Sequence, residues 1–439
     1  MGRRIQSKTA TKLLQISKVS ADKPKYKFTS LASLLDKEYL AECYASLNKT
    51  KASGTDKVSV EEYGEELEDN LHKLIERMKG HTYLPQDVRR VYIPKSNGDK
   101  RPLGIPAVED RIVQKGIAGI LEAIYEPVFI EESYGFRSGR SQHDALKRLD
   151  KEIWGKPINY VIEADIKGFF DNVDHKWMTK FIEHRVSDLN LVRLIVRFLK
   201  SGIVEEGKRM KAEEGTPQGG NLSPILANIY LHYVLDLWFK YHLKKELIGY
   251  AEIVRYADDF VIVVQSQSDC EKILNNLKER FAKFKLELSE EKTKVIRFGR
   301  RASKQGKGND KSGTFDFLGF THYCGKTRQG KFTVRRKTSQ KRFAQKIKLM
   351  SEFLKKNRCS KNIAGLWKSI KSKLIGHYGY YGISGNSRSI ENYYYKVITL
   401  IFKWLNRRSQ RKSTTWESFK KYLKSYPLPK PKIYVNLYT

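Results

Sequence analysis

Two adjacent aspartates, Asp258 and Asp259, lie between two apolar runs of the sequence. The runs cover 253–254 and 260–264, and β-prone segments on either side of a short polar stretch predict a hairpin with an acidic turn. Two carboxylates side by side at the tip of a buried hairpin repel each other by several kcal/mol at an intermediate dielectric. They therefore need water or a cation, and a bound metal ion is the simplest way to neutralise them.

A third aspartate follows a second β-prone run. Residues 160–164 are mostly apolar, Asp165 comes next, and Gly168 predicts a turn. Three aspartates from two neighbouring strands could hold a pair of Mg²⁺ ions about 3.5–4 Å apart, the spacing that binds both the attacking and the leaving oxygen in phosphoryl transfer. This is the chemistry of a nucleotide polymerase. An isolated Asp-Asp pair is as often a solvated acidic turn, so the surrounding segments decide between the two interpretations.

Basic and glycine-rich segments accompany the aspartates. Residues 88–106 read as two strands joined by a turn, which predicts a hairpin that brings Lys95 and Arg101 near each other. Two cations there would neutralise charge on a leaving pyrophosphate; an exposed basic ribbon is the alternative. Segment 215–224, with three glycines and two prolines, predicts a fixed turn in which Gln218 contacts the sugar or base of a nucleotide.

Positive charge is concentrated at one end of the chain. The formal net charge is +35, and residues 301–439 hold 33 Lys and Arg against five Asp and Glu, a net of +28. A folded region with that surplus repels itself unless a polyanion lies against it, which favours nucleic acid as the partner. A membrane surface is the competing partner, but no run approaches about 18 apolar residues and no amphipathic anchor flanks the chain ends. We therefore expect no membrane attachment.

Length and composition limit the remaining choices. A chain of 439 residues suits two or three domains. The four cysteines are far apart in the sequence and form no closely spaced pair, so neither a disulfide framework nor a zinc site is expected. Reduced-type cysteine usage without an export signal predicts the bacterial cytoplasm as the compartment, with an organelle as the alternative.

Helical periodicity dominates the C-terminal third. Apolar residues recur at helical spacing over 339–354, 363–375 and 390–405, which predicts a basic helical bundle. Its many tyrosines are expected to pack between helices first and to stack on nucleic-acid bases second. Residues 1–28 are predicted to be a flexible basic arm, and 413–439 a short basic segment in which 426–431 are extended and broken by prolines.

Ordered blocks of residues make the chain resemble the reverse transcriptases encoded by bacterial and organellar group II introns. The resemblance covers roughly residues 45–410 and rests on the following blocks, in family order: the Lys51–Asp56 loop, Ile93-Pro94-Lys95 with Arg101–Pro106, Asp110-Arg111, Tyr134–Arg137, Gly215–Gly220, Arg255–Asp259, Glu291-Lys292 and Phe317–Phe320. It implies an α+β fold of the right-hand polymerase type. The implied regions are fingers over 29–155, a palm over 156–322, and a helical thumb, also the maturase region, over 323–412.

The resemblance also implies roles for single residues. Asp165, Asp258 and Asp259 match the ligands of two Mg²⁺ ions, with Mn²⁺ as a substitute. The implied nucleotide-binding residues are Lys95, Arg101, Ile166, Phe170 and Gln218, and the implied nucleic-acid-binding residues are Arg111, Arg137, Lys292, His377 and Tyr378. Phe170 lies where the family places an aromatic ring against the sugar. Such a ring would clash with a 2′-hydroxyl and select deoxynucleotides; the alternative is a core phenylalanine beside Phe169.

The expected function is that of an RNA-directed DNA polymerase. It would extend a DNA or RNA primer on an RNA template with dNTPs, and would bind group II intron RNA to assist splicing and mobility. Two alternatives stay open: a host-adopted reverse transcriptase in DNA repair or phage defence, and a splicing cofactor with vestigial polymerase activity. Many family members continue into a His-Asn-His endonuclease with paired cysteines. These 439 residues contain no such cluster, so we expect the primer to come from elsewhere, such as a replication fork or a repair intermediate.

Overall fold

Helices and three small sheets form the framework of the protein. The computed structural model describes residues 8–94, 100–205, 208–210, 214–215, 219–305, 312–408 and 414–437. The helices are α1 (Lys8–Asp22), α2 (Lys37–Ala45), α3 (Val60–Glu65), α4 (Leu67–Lys79), α5 (Val108–Tyr125), α6 (Gln142–Gly155), α7 (His175–Glu183), α8 (Leu189–Leu199), α9 (Ser223–Leu231), α10 (Leu237–Tyr241), α11 (Gln267–Lys283), α12 (Arg300–Gln305), α13 (Gln340–Asn357), α14 (Ile363–Tyr381), α15 (Ser387–Leu405) and α16 (Trp416–Ser425). The strands are β1 (Val88–Pro94), β2 (Lys100–Ile105), β3 (Tyr160–Asp165), β4 (Ile203–Glu205), β5 (Lys208–Met210), β6 (Ala251–Tyr256), β7 (Asp259–Val264), β8 (Lys294–Arg297), β9 (Thr314–Phe317), β10 (Phe320–Lys326) and β11 (Phe332–Thr338).

The first sheet contains the basic hairpin that the sequence predicts. Its strand order is β2-β1-β4-β5, and β1 and β2 pair antiparallel from Arg89 opposite Ile105 to Pro94 opposite Lys100. The alternating pattern of the segment suits a sheet with one exposed face. The hairpin prediction is confirmed for the described strands.

The second sheet is the centre of the molecule. Its strand order is β6-β7-β3-β8, and β7 pairs antiparallel with both β6 and β3. The hairpin predicted around the two adjacent aspartates is present, since β6 and β7 are joined by a two-residue turn, Ala257-Asp258, with Tyr256 opposite Asp259. Long apolar runs in these strands indicate a sheet covered on both faces.

Alternate residues of this sheet enter two different hydrophobic cores. On one face, Ile162 and Ile262 pack with helices of the N-terminal half in the larger core. On the other face, Val161 and Val263 pack with α6, the third sheet and the C-terminal helices. Because side chains alternate along a strand, each residue of β3 and β7 is assigned to one face by its position alone.

The third sheet and the last helices form the C-terminal region. The sheet has the order β11-β10-β9, so the expected helical thumb over 323–412 begins with a strand hairpin, and helices start only at Gln340. Residues 332–338 alternate between buried and exposed positions, which suits a strand rather than a helix. The three predicted helices are present as α13, α14 and α15. A fourth helix of this region, α16, was not predicted by the sequence patterns. The chain after it is extended and packs against the end of α14, where Tyr434 N–H donates to Gly382 O at 2.7 Å.

The N-terminal region differs from the expected flexible arm. Residues 8–22 form a helix, α1, and its apolar residues Leu13, Ile16 and Val19 pack against the larger core. Ser20 is fully buried and its hydroxyl donates to the carbonyl of Ile124 in α5. A periodic apolar stripe on a basic segment is enough to anchor a helix to a core, so the prediction of a flexible arm is wrong for the described residues. In the described part of the chain, no helix is both long and apolar enough to span a bilayer.

Candidate active site

Two of the three predicted aspartates face each other across neighbouring strands. Asp165 ends β3, Asp259 begins β7, and the antiparallel register places them directly opposite. Side chains in that relation point to the same face of the sheet, with Cβ atoms about 4.5–5.5 Å apart. Asp258 lies in the adjoining two-residue turn. The strand ends therefore gather the three carboxylates at one edge of the sheet.

The turn that carries Asp258 is held in a strained conformation. Ala257 has φ +58°, a value that costs energy for a residue with a Cβ. Gly135 packs against this turn so closely that a Cβ there would lie 2.2 Å from the Ala257 nitrogen. Only a glycine permits such an approach, so Gly135 and the turn determine each other's position.

A buried arginine beneath the turn is a residue that sequence reasoning missed as a site residue. Arg255 is fully buried and forms a two-point ion pair with Asp236, with Nε–Oδ1 and Nη2–Oδ2 distances of 2.7 and 2.5 Å. Its Nη1 donates to Ala257 O at 2.9 Å and to the Asn228 side chain at 3.1 Å. Asn228 in turn donates to Gly135 O at 2.7 Å. Charged residues inside otherwise apolar runs were the available signal, because such residues are buried only when paired.

A second turn also contacts the carboxylates. Leu318 and Gly319, with φ +49° and +79°, connect β9 to β10, and the Leu318 backbone amide donates to the Asp259 carboxylate. The hydroxyl of Tyr380, in α14, donates to Leu318 O at 3.1 Å. Tyr380 thus connects the C-terminal helices to the site; the sequence predicts it as a helix-packing tyrosine and not as a site residue.

The electrostatics of the site show accumulated negative charge. Burial, followed by the neighbouring charges of Asp258, Asp165 and Glu163, raises the pKa of Asp259 to about 7. The Lys292 ammonium lies 2.5 Å from Asp165 Oδ2. This residue, predicted to bind nucleic acid, therefore forms an ion pair with one of the aspartates in this structure. Carboxylate oxygens are the ligands that Mg²⁺ prefers, so the residues present fit a divalent ion. Among the described residues, no group of three His, Cys, Asp or Glu side chains already surrounds one point.

Two of the predicted nucleotide-binding residues, Ile166 and Phe170, follow β3 in the chain. Phe170 is half-buried, with its ring against Phe169 at a centroid distance of 5.3 Å. A Cβ on Gly215 would lie 2.9 Å from the carbonyl oxygens of Phe170 and Asp171, so the predicted glycine-rich turn begins against Phe170. Ile166 is buried and its backbone pairs with Leu288.

Three of the predicted nucleotide contacts concern residues that the structure does not describe. Lys95 and Gln218 lie outside the described residues, and so does the side chain of Arg101. The backbone that flanks Gln218 is described in part: Asn221 N–H donates to the Gln114 side chain at 3.0 Å. The roles of these three residues stay predictions.

Four of the predicted nucleic-acid-binding residues are buried and make internal contacts. Arg111 donates to Ala52 O at 3.2 Å. Arg137 donates to Ile130 O and Ser133 O at 2.6 and 2.7 Å and pairs with Glu126. The His377 ring stacks on Tyr393 at 3.6 Å, and Tyr378, which is fully buried, donates to Pro429 O at 3.2 Å. In this structure the four side chains stabilise the fold and present little surface to a ligand.

Comparison with known proteins agrees with this geometry. Residues 93–322, more than half of the chain, match the family model for reverse transcriptase (RNA-dependent DNA polymerase). The chain therefore belongs to the reverse transcriptase family, and its fold is the fingers, palm and thumb arrangement of that family. All four strands of the central sheet lie within the matched residues.

The curated relatives add intron-encoded proteins. The chain is 38% identical over 344 residues to the group II intron-encoded protein LtrA of Lactococcus lactis, an alignment that covers 64% of this chain and 57% of LtrA. It is 36% identical over 259 residues to the protein YkfC of Escherichia coli, covering 50% of this chain and 65% of that one. The chain is also 28% identical over 155 residues to the mitochondrial protein named nuclear intron maturase 4 of Arabidopsis thaliana. That alignment covers 34% of this chain and 19% of the maturase. The chain thus spans less than two thirds of the length of each of these relatives.

Proposed function

We propose that the protein is an RNA-directed DNA polymerase that adds deoxynucleotides to a primer on an RNA template. The observation that carries the proposal is the register of the palm sheet, in which Asp165 and Asp259 are directly opposite and Asp258 occupies the adjoining turn. Family membership supports the same activity. The region that matches the family model includes all three aspartates.

In this proposal each part of the site has a distinct task. Asp165, Asp258 and Asp259 would hold Mg²⁺, which when bound would lower the pKa of the primer 3′-hydroxyl and stabilise charge on the leaving pyrophosphate. The Leu318 amide orients the Asp259 carboxylate. The Lys292 ammonium, 2.5 Å from Asp165 Oδ2, neutralises part of the negative charge of this carboxylate.

Selection of the sugar is assigned to Phe170. Its half-buried ring packs edge-on against Phe169, and its backbone carbonyl lies against Gly215, so both the ring and the backbone of Phe170 have a packed neighbour. Lys95 and Arg101 are proposed to contact the triphosphate, and Gln218 the sugar or base. Phe170→Ala should admit ribonucleotides while Phe169→Leu, a change in a buried neighbour, should not. Equal discrimination in both variants would remove the role of Phe170.

We also propose that the C-terminal region binds group II intron RNA. Two observations support this: the net charge of +28 over residues 301–439, and the intron-encoded relatives. Phosphate contacts by lysine and arginine supply most of the affinity for nucleic acid at moderate salt. A filter-binding measurement of group II intron RNA against an unrelated structured RNA of equal length, over a salt series, tests this proposal, and equal affinities at all salt concentrations would reject it.

Primer extension tests the polymerase proposal directly. The assay uses an RNA template, a DNA primer, dNTPs and Mg²⁺, and compares the wild type with Asp258→Asn and Asp259→Asn, which preserve side-chain volume and remove the charge. Loss of metal-ion stabilisation costs several orders of magnitude in rate, so we expect no extension above background from either variant. The matched control is Glu271→Gln, an exposed acid of α11. Wild-type rates in both aspartate variants would exclude this site as the catalytic centre.

A further inference from the structure

A large basic cleft lies on the molecule away from the three aspartates. Its volume is about 1500 Å³, and its walls are α6 on one side and the β10–β11 hairpin on the other. Small-molecule pockets in proteins are typically about 300–1,000 Å³ and mostly apolar. This cleft is larger and its rim is cationic, so it suits an extended, negatively charged ligand.

The cations of the cleft have no acidic partners in the described part of the chain. Lys147 and Lys151, one helical turn apart on α6, are exposed and form no ion pair with a described residue. Arg328 and Lys331, at the tip of the hairpin, are likewise exposed and unpaired there. Asp150, which also lines the cleft, is already paired with the buried Arg336, Oδ1 to Nη2, at 2.6 Å. An unsatisfied cationic surface of this kind favours a polyanion.

An exposed tryptophan lies on the same helix face as the two lysines. Trp154 follows Lys147 and Lys151 at helical spacing, and 61% of its surface is exposed. A single exposed ring is not unusual by itself, so its meaning depends on the cations and rings beside it. Phe332 and Tyr323, both half-buried, line the opposite wall. Aromatic rings among unpaired cations are the arrangement by which proteins bind single-stranded nucleic acid, since bases stack on the rings while the cations contact phosphates.

The walls of the cleft are connected before any ligand binds. The Arg336–Asp150 ion pair joins β11 to α6, and Arg300 donates to Trp154 O at 3.3 Å. The first contact holds the tryptophan helix against the hairpin, and the second holds the same helix against α12. A preformed site loses less conformational entropy on binding than a flexible one.

The cleft is separate from the catalytic end of the palm. It adjoins the Tyr160 end of β3, which is about 16 Å from Asp165 at about 3.3 Å per residue. The hairpin tip likewise extends about 20 Å from the turn at Leu318, by the same rise. A strand held there is therefore not the primer terminus.

We propose that this cleft is a second nucleic-acid site, which binds single-stranded RNA with a base stacked on Trp154 and phosphates on Lys147, Lys151, Arg328 and Lys331. The choice of RNA over DNA rests on the proposed function, in which RNA is the template. Binding of a duplex is disfavoured because the faces of its bases are covered by neighbouring bases and cannot stack on a side chain.

The test measures the affinity of the full chain for a fluorescently labelled oligouridylate RNA. Binding is monitored by fluorescence anisotropy, in a buffer that contains EDTA and no primer or dNTPs. Trp154→Ala should weaken binding about tenfold, whereas Trp154→Phe, which keeps a ring, should lie within about threefold of the wild type. Lys147→Ala with Lys151→Ala should also weaken binding about tenfold and reduce the slope of log K against log salt by about 2. The matched control, Lys245→Ala with Lys283→Ala, removes two exposed lysines from other elements and should change neither quantity.

Cross-linking makes the test specific to the cleft. RNA containing 4-thiouridine, irradiated in complex with the protein, should attach to peptides of α6 or of the β10–β11 hairpin. The proposal is overturned if both cleft variants bind like the wild type, or if the cross-links map elsewhere. Competition by polyglutamate as strong as that by RNA would show a charge effect only, and equal affinity for single-stranded DNA would overturn the assignment to RNA. Because the assay contains no metal or nucleotide, a failure of the polymerase proposal would leave its result unchanged.

Discussion

The two ends of strand β3 handle charge in opposite ways. At the Asp165 end, carboxylates from adjacent strands are brought together, and the compensating groups are built in: the Leu318 amide on Asp259 and the Lys292 ammonium on Asp165. At the Tyr160 end, the cations of the cleft are exposed and have no acidic partner among the described residues. The negative end is compensated in part by groups of the protein, whereas the positive end has no compensating acid among the described residues.

This contrast reflects two different tasks. Catalysis requires reacting groups to be held within a fraction of an ångström of their productive positions. The turn that bears Asp258 is accordingly supported by the buried Arg255–Asp236 ion pair and by the close packing of Gly135. Binding a flexible polyanion needs reach and charge rather than exact placement, and long exposed side chains provide both. Four substitutions examine this contrast, in order of decreasing expected effect.

The largest expected effect comes from Arg255→Met. This change leaves Asp236, which is fully buried, without its partner, and an uncompensated buried charge costs about 3–5 kcal/mol of unfolding free energy. Urea denaturation followed by circular dichroism measures the loss. The double variant Arg255→Met with Asp236→Leu should recover most of it. The control Lys278→Met breaks an exposed pair with Glu290 and should cost less than about 1 kcal/mol; equal losses would contradict the distinction.

Gly135→Ala tests the fit of the catalytic turn. The added Cβ would lie 2.2 Å from Ala257 N, so the turn must move, and a displacement of about 1 Å lowers a rate by about 100-fold. Single-turnover primer extension measures this rate. In Gly379→Ala, a helical position where a Cβ meets nothing within 4 Å, the rate should stay at the wild-type value and stability should rise by up to about 1 kcal/mol. A Gly135→Ala enzyme of normal rate would show that the turn position is not critical.

Tyr380→Phe tests the connection between the thumb helices and the site. It removes the hydroxyl that donates to Leu318 O at 3.1 Å, a bond with a net value of about 0.5–1.5 kcal/mol. The primer-extension kcat should therefore fall about two- to tenfold. The KM for dNTP should stay unchanged, because this hydrogen bond positions the Leu318 turn that contacts Asp259 and involves no group that binds the nucleotide. Tyr395→Phe, at a ring 65% exposed, should change neither parameter; a similar fall there would remove the special role of Tyr380.

The smallest expected effect is on pH dependence through Glu163. Burial, followed by the charge of Asp316, raises the pKa of Glu163 from 4.5 to about 7. The folded state thus holds this proton more tightly than the unfolded state, so the contribution to stability is present at low pH and is lost as pH rises through about 7. In EDTA, Glu163→Gln should flatten the fall in unfolding free energy between about pH 5 and pH 8, measured by urea titration. Glu271→Gln, at an exposed position, should leave the slope as it is, and an unchanged slope in Glu163→Gln would contradict the prediction.

Local patterns accounted for much of the fold. The hairpin around Asp258 and the basic hairpin at 88–105 follow from alternation and turn residues over short distances, and the three long C-terminal helices follow from apolar periodicity. Local patterns failed where neighbours decide. The segment 8–22 is a helix because α5 offers a surface to pack on, and 323–338 is a strand hairpin because β9 extends it into a sheet.

The sequence alone determined which acids, cations and rings the protein has, and which short segments hold them, because these depend on residue type and nearest neighbours. Only the tertiary structure decided that Asp165 lies opposite Asp259, that Arg255 is neutralised by Asp236, and that Trp154 shares a cleft with the hairpin tip. Each of these relations joins segments far apart in the chain. Their geometry is set by strand register and by the packing of two cores against one sheet, and no local pattern encodes either.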